Sequence, residues 1–266
     1  VSEAPVQATP AAQAARNGAR SSLREALAGE GRIWGLSRRG TLVLALVPIG
    51  IALIGIVTGG LGKDVYRWIV GEDKIGETVQ VLAYFGALVL AVVLARRLWN
   101  ADRRGLAAVF GLFAAALVFQ TGEELSWGQR VFGWGTPESF AEGNKQGETN
   151  LHNVYGVGAS FKWIQAVVAA YAGIVPLVLL RWKLPERHRA TAAFLVAPVS
   201  LVLYFLPLFV WRIYRNAAPT PDTGAFFVTE YNEVMEISFA LGVLLFLVYQ
   251  LRRSRQPGWP DLPDPR

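Results

Sequence analysis

Long apolar runs separated by short polar ones dominate this chain. Six of them, at about 41–62, 78–95, 104–126, 161–182, 191–213 and 234–251, are long enough to cross a bilayer as helices, which takes roughly 20 residues each. The pattern predicts an all-α fold, a polytopic transmembrane helical bundle of about six spans. Pro48, Pro176, Pro198 and Pro207 lie inside the runs. Membrane helices tolerate proline because neighbouring groups re-satisfy the freed carbonyls. The fifth run holds two of these prolines and is the one expected to bend. No internal repeat is visible, so the pattern lends no support to an inverted-repeat transporter.

The runs divide the chain into a tail at 1–40, a transmembrane domain at 41–251 with a polar loop at 127–160, and a Pro-rich tail at 252–266. Residues 1–20 are rich in Ala and Gln without apolar periodicity and read as disordered. The first apolar run begins at Thr41, too late and too long for an ordinary cleaved signal peptide. Ser22 and Glu25 have capping-box spacing. Two readings follow for that segment: a short interfacial helix with Ile33 and Trp34 at the lipid boundary, or a solvated basic linker. Trp68, Trp127, Trp134, Trp163, Trp182 and Trp211 fall near the ends of the runs, where an aromatic belt is expected.

Composition agrees with a membrane: 53% of residues are hydrophobic and 17% charged, against about 25% charged in soluble domains. The net charge of +6 could suggest nucleic acid, but its distribution explains it otherwise. The tails and the loops near 96–104 and 181–189 carry 18 of the Lys and Arg residues and 7 of the acids, while the alternate loops carry 8 and 13. By the positive-inside rule both termini are cytoplasmic and the 127–160 loop is extracytoplasmic. Nucleic-acid binding is rejected on that count. There is no cysteine, which excludes disulfides and thiolate chemistry.

Candidate chemistry concentrates between Gln120 and Asn153. On a helix Gln120, Glu124 and Trp127 share one face, and Glu123, Ser126 and Arg130 the next. The bland reading of Glu123 and Glu124 is a solvated helix end, and of Arg130 a structural partner for Glu123. Glu148 and His152 are four apart, a spacing used by helical metal ligands. The plainer alternative makes Thr149 or Asn150 a helix N-cap and His152 a structural histidine. With one imidazole and several carboxylates, the donors would suit Mn²⁺, Fe²⁺, Mg²⁺, Ca²⁺ or Zn²⁺, with no residue choosing among them.

A second cluster, Glu230, Glu233 and Glu236, heads the last run. Acids in a first turn are favoured by the helix dipole, but Glu236 leads directly into ISFALGVLLFLVYQ. An ionisable residue at that depth is a functional hypothesis by default. The expected arrangement is one pocket lined by Glu124, Glu148, His152 and Glu233 or Glu236, neutralised by a cation. The turn-rich loop is expected to fold back on the bundle and bury Val131, Phe132, Trp134 and Phe140.

The strings EELSWGQRVFGW, TPE and QGETNLHN resemble those of a group of bacterial integral membrane proteins of uncharacterised activity. The resemblance spans Glu123–Asn153 and implies a multi-pass protein of the bacterial cytoplasmic membrane. It also implies that Glu123, Glu124, Ser126, Trp127, Gln129, Arg130, Glu148, Asn150, His152 and Asn153 act as one unit.

Three functions compete. One is a membrane-embedded enzyme acting on a lipid or lipid-linked substrate. In it Glu124, Glu236 and Ser126 would be catalytic, with Glu123, Trp127, Gln129, Arg130, Asn150 and Asn153 binding substrate. Glu148, His152 and Glu233 would hold a divalent metal ion, which would activate water. The second is a non-catalytic subunit or binding module whose polar loop docks membrane-protein partners. The third is a transporter, disfavoured because the middles of the runs lack polar residues.

Overall fold

A computed structural model describes residues 23–71, 74–142, 144, 149–151, 154, 157–182, 184–219 and 225–259. Its helices are α1 (23–34), α2 (Arg38–Leu61), α3 (Lys63–Val70), α4 (Ile75–Asn100), α5 (Arg104–Glu124), α6 (Gln129–Phe132), α7 (Glu138–Ala141), α8 (Gly158–Leu179), α9 (Glu186–Leu195), α10 (Val202–Ala217) and α11 (Ala225–Arg253). Six helical stretches are long and apolar enough to cross a membrane, and the described residues form no strand. The protein is a polytopic α-helical membrane protein.

The packing explains which faces are apolar all round. α4 lies between α5 and α11, α8 packs on α10, and α10 and α11 both reach α2. Ala83, Ala87 and Ala91 make a smooth buried face on α4, as expected of helices that approach closely without a hydrophobic driving force. α2 meets α11 through Gly55 and Gly59; a Cβ on Gly59 would collide with the Phe227 ring. The outer surface is an exposed apolar belt that includes Leu42, Val43, Leu82, Leu112 and Val167. A belt of that extent on a multi-span bundle faces lipid. Trp68, Trp99, Trp163 and Trp182 are exposed near helix ends, in keeping with an aromatic girdle.

The fifth run departs from a continuous helix. α9 stops at Leu195, the chain is extended at Val196, and a 3₁₀ turn at Val199–Leu201 leads into α10. Pro198 at the break has no N–H to continue a helix. Both cut ends are capped by distant side chains. The Glu30 carboxylate accepts the N–H groups of Val199 (2.6 Å) and Ser200 (2.9 Å), and Gln250 Nε2 donates to the Ala193 carbonyl (2.9 Å). Such caps satisfy groups that lipid cannot.

Glu30 reaches that break because α1 lies against the bundle. Ala26, Glu30 and Trp34 are buried, so α1 is a helix packed on the bundle and not a solvated linker, and Trp34 faces protein. Trp34 Nε1 donates to Ser200 Oγ (3.1 Å), its ring packs on Tyr249 at 5.1 Å, and Arg252 donates to its carbonyl. Residues near the start and the end of the described chain therefore meet at one end of the bundle, called here the basic end. The opposite, polar end carries the loop after α5.

Candidate functional site

α5 ends at Glu124, earlier than its periodicity suggests, because the backbone then reverses. Ser126 (φ 45°) and Trp127 (φ 52°) are both left-handed, followed by Gly128 (φ 90°). Non-glycine residues in that region cost of order 1–3 kcal/mol each and persist only where surroundings over-determine them. Here they do. The turn returns Trp127 to Glu123, and its Nε1 donates to Glu123 Oε1 at 2.6 Å. The Trp127 ring lies on Gly122, where a Cβ would stand 3.0 Å from it, and meets Phe119 edge-on; Phe119 stacks on Phe161 of α8.

The returning strand completes a clasp. Glu123 Oε2 accepts the Leu151 N–H at 2.7 Å, and Asn150 Nδ2 donates to Ser126 Oγ at 3.2 Å. Asn144 Nδ2 donates to the Asn150 carbonyl (2.8 Å). Gln129 donates to Thr136 Oγ1 and accepts the Thr149 N–H, both at 2.8 Å. Glu123, Ser126 and Asn150 are each 1% exposed or less. The EE-x-SWGQ and TN strings thus pair with one another within the chain. Ser126 meets an amide there, and Glu123 meets Trp127 and backbone. The side chain of Arg130, and Glu148, His152 and Asn153 altogether, lie outside the described residues.

The loop does not bury its apolar tip. Val131, Phe132 and Trp134 are exposed, with Phe132 and Trp134 stacked on each other at 5.2 Å. Of the two places expected for them, the helix ends and the membrane interface, the first does not bury them. Phe132 and Trp134 lie over Gly128, where a Cβ would stand 3.1 Å and 3.0 Å from their rings. The Phe140 side chain lies outside the described residues.

The second cluster lies on α11. α11 begins at Ala225, nine residues before the apolar run, so Glu230, Asn232, Glu233 and Glu236 are all helical. Glu236 lies 17 residues before Arg253, about 26 Å along the helix. With Arg253 at one boundary of a hydrocarbon layer about 30 Å thick, Glu236 sits just inside the other. Glu230, at the rim, accepts Arg67 Nε of α3 at 2.9 Å. Glu236 is held more deeply: Arg212 Nη2 of α10 donates to its Oε1 at 2.5 Å and Asn232 Nδ2 at 2.6 Å, while Arg212 also donates to Gln165 Oε1 of α8 at 3.0 Å.

Glu233 turns toward α4 and α5. It shares a hydrogen bond with Gln80, and the charges it feels are those of Glu236, Glu124 and Glu77. The Tyr84 hydroxyl, one turn below Gln80, lies within electrostatic reach of Glu124, Glu236 and Glu233. Glu124 accepts Gln120 Nε2 at 2.8 Å. Glu124 and Glu236 thus both lie within electrostatic reach of Glu233, with α4 packed between α5 and α11. Among the described residues no group of three acids or histidines is arranged to hold a metal ion. Glu148 and His152 are not among them.

Sequence reasoning missed Arg212, Gln165, Gln80, Tyr84 and Glu77. Gln80 and Arg212 were visible as polar residues inside ETVQVLAYF and LFVWRIYRN, but Glu77 and Arg212 entered only a charge count. Toward the basic end the layer beneath the centre is closed by buried Ala87, Ala91, Phe205, Phe239, Val243 and Leu247.

Fold and site together define a multi-pass helical membrane protein with a polar centre confined to one end of the bundle. No protein-family model matches the chain, and no curated protein or solved structure proves similar to it.

Proposed function

We propose that this protein is a membrane-embedded enzyme of the outer leaflet, acting on a lipid or lipid-linked substrate of a bacterial cytoplasmic membrane. The observation that carries this reading is the one-sided gathering of Glu77, Glu124, Glu233 and Glu236 around Gln80 and Tyr84. It lies at the polar end of the bundle, above a buried apolar layer. The positive-inside count puts that end outside. Carboxylates crowded together in a low-dielectric site divide acid and base roles, one holding a proton the others lack. Glu233 is the group best placed for proton transfer, and Glu236, bonded to Arg212 and Asn232, positions its neighbours. The apolar layer disfavours transport. The clasp, whose strings resemble those of the bacterial group, ties α5 to the loop.

Cells lacking the gene, complemented with the wild type or with Glu233→Gln, test this by lipid mass spectrometry. The same lipid-linked species is expected to accumulate in the deletion and in the Glu233→Gln strain, and to fall at least tenfold with the wild type. Identical lipid profiles in all three strains would rule the enzymatic reading out. They would favour the second one, a subunit docking partners through exposed Val131, Phe132 and Trp134.

A further inference from the structure

The exposed tip of the loop after α5 ends a train of aromatic rings that starts on the spans themselves. Phe161 of α8 stacks on Phe119 of α5 at 5.6 Å, and Phe119 meets the Trp127 ring edge-on at 5.7 Å. The Trp127 ring lies on Gly122 in the last turn of α5, and the next residue, Gly128, lies under the Phe132 and Trp134 rings. Contacts therefore lead without a gap from two membrane spans to the tip. Trp127 is 43% exposed, Trp134 46%, Val131 65% and Phe132 73%. At the same end of the spans Val118 of α5, and Trp163 and Ile164 of α8, are exposed as well. The patch thus adjoins the lipid-facing belt instead of standing apart from it.

We propose that Val131, Phe132 and Trp134 form a hook seated in the headgroup–acyl boundary of the leaflet at the polar end, so that lipid covers them. Continuity with the belt is the first support. Residue chemistry is the second: Trp and Phe suit a boundary that is apolar on one side and wet on the other. The only charge between Leu125 and Pro137 is Arg130, a cation beside aromatics, as in segments that lie in the membrane surface. Size is the third. A stable protein interface takes about 800 Å² from each partner, and aromatic side chains supply about 150–250 Å² each, so three side chains fall short of a second copy or a partner subunit. The clasp ties the loop to α5 through Glu123, and the hook ties the far side of the loop to lipid. The inference is independent of the reaction proposed above.

The test places a nitroxide on the full purified chain in nanodiscs of phosphatidylcholine and phosphatidylglycerol, through Val131→Cys. Leu112→Cys, on the exposed face of α5, is the lipid reference, and Arg255→Cys the water reference. Collisions with oxygen, which concentrates in lipid, are compared with those of a neutral nickel chelate, which stays in water. The oxygen-to-nickel ratio at position 131 is expected to exceed that at 255 by at least roughly threefold and to approach that at 112. Adding Phe132→Ser and Trp134→Ser, with helicity verified by circular dichroism, is expected to bring the ratio at 131 down to that at 255. A ratio at 131 equal to that at 255 in the otherwise unaltered chain would overturn the proposal, since the tip would stand in water. Exclusion of both reagents would overturn it as well, by showing a second copy or another protein over the tip. A lipid-rich ratio together with unchanged cellular lipids would remove the enzymatic reading and leave this one standing.

Discussion

Replacing Arg212 by Ala is expected to cost about 3–5 kcal/mol of stability, the range for breaking a buried ion pair from one side. The side chains of Arg212 and Glu236 are 8% and 12% exposed, so the Glu236 charge left behind has little water to receive it. Its remaining partner, Asn232, is neutral. Gln165 would lose its donor at the same time. The double variant Arg212→Leu with Glu236→Leu is expected to recover most of the loss, because both charges leave the low-dielectric region together. Unfolding in mixed micelles followed by circular dichroism measures the difference. Equal destabilisation by the single and double variants would mean that α10 and α11 are held by packing alone, with the ion pair incidental.

Glu123→Ala is expected to release the loop at a cost of about 3 kcal/mol, since it removes two hydrogen bonds to a charged acceptor worth roughly 1.5–3 kcal/mol each. The Trp127 indole and the Leu151 N–H lose their partner, and the left-handed turn at Ser126 and Trp127 loses what holds it. Limited proteolysis between residues 129 and 150 should then run at least roughly tenfold faster, with the spans intact. Glu123→Gln keeps one acceptor and should fall between. Unchanged cleavage in Glu123→Ala would show that the clasp is held from elsewhere, for example by Phe119 on Phe161.

The spans were legible in the sequence because hydropathy reports the solvent of each segment directly. The break in the fifth was half legible. Pro198 signalled a bend, but the caps from Glu30 and Gln250 come from 169 and 57 residues away. Helical periodicity misled at Trp127, since it assumes a helix that continues, and the left-handed residues there are not glycines. The same density of polar residues that made 120–153 attractive as a site includes a clasp that satisfies its own hydrogen bonds. Glu124, Glu233 and Glu236 were read as one centre from depth and side alone, which topology supplies. The surrounding Gln80, Tyr84, Arg212 and Gln165 belong to three other helices, and no local pattern says which helices will be neighbours.

Since the chain contains no cysteine, single thiols report accessibility without background. Glu233→Cys, Leu247→Cys and Arg255→Cys, treated in intact cells with a membrane-impermeant thiol reagent, test the central claim of a one-sided outer centre. Labelling is predicted at position 233 in intact cells, at 255 only after the membrane is opened, and at 247 in neither case. Labelling of 233 only after opening would put the centre on the cytoplasmic side, and labelling of 247 from outside would mean a path through the apolar layer; either result contradicts the account.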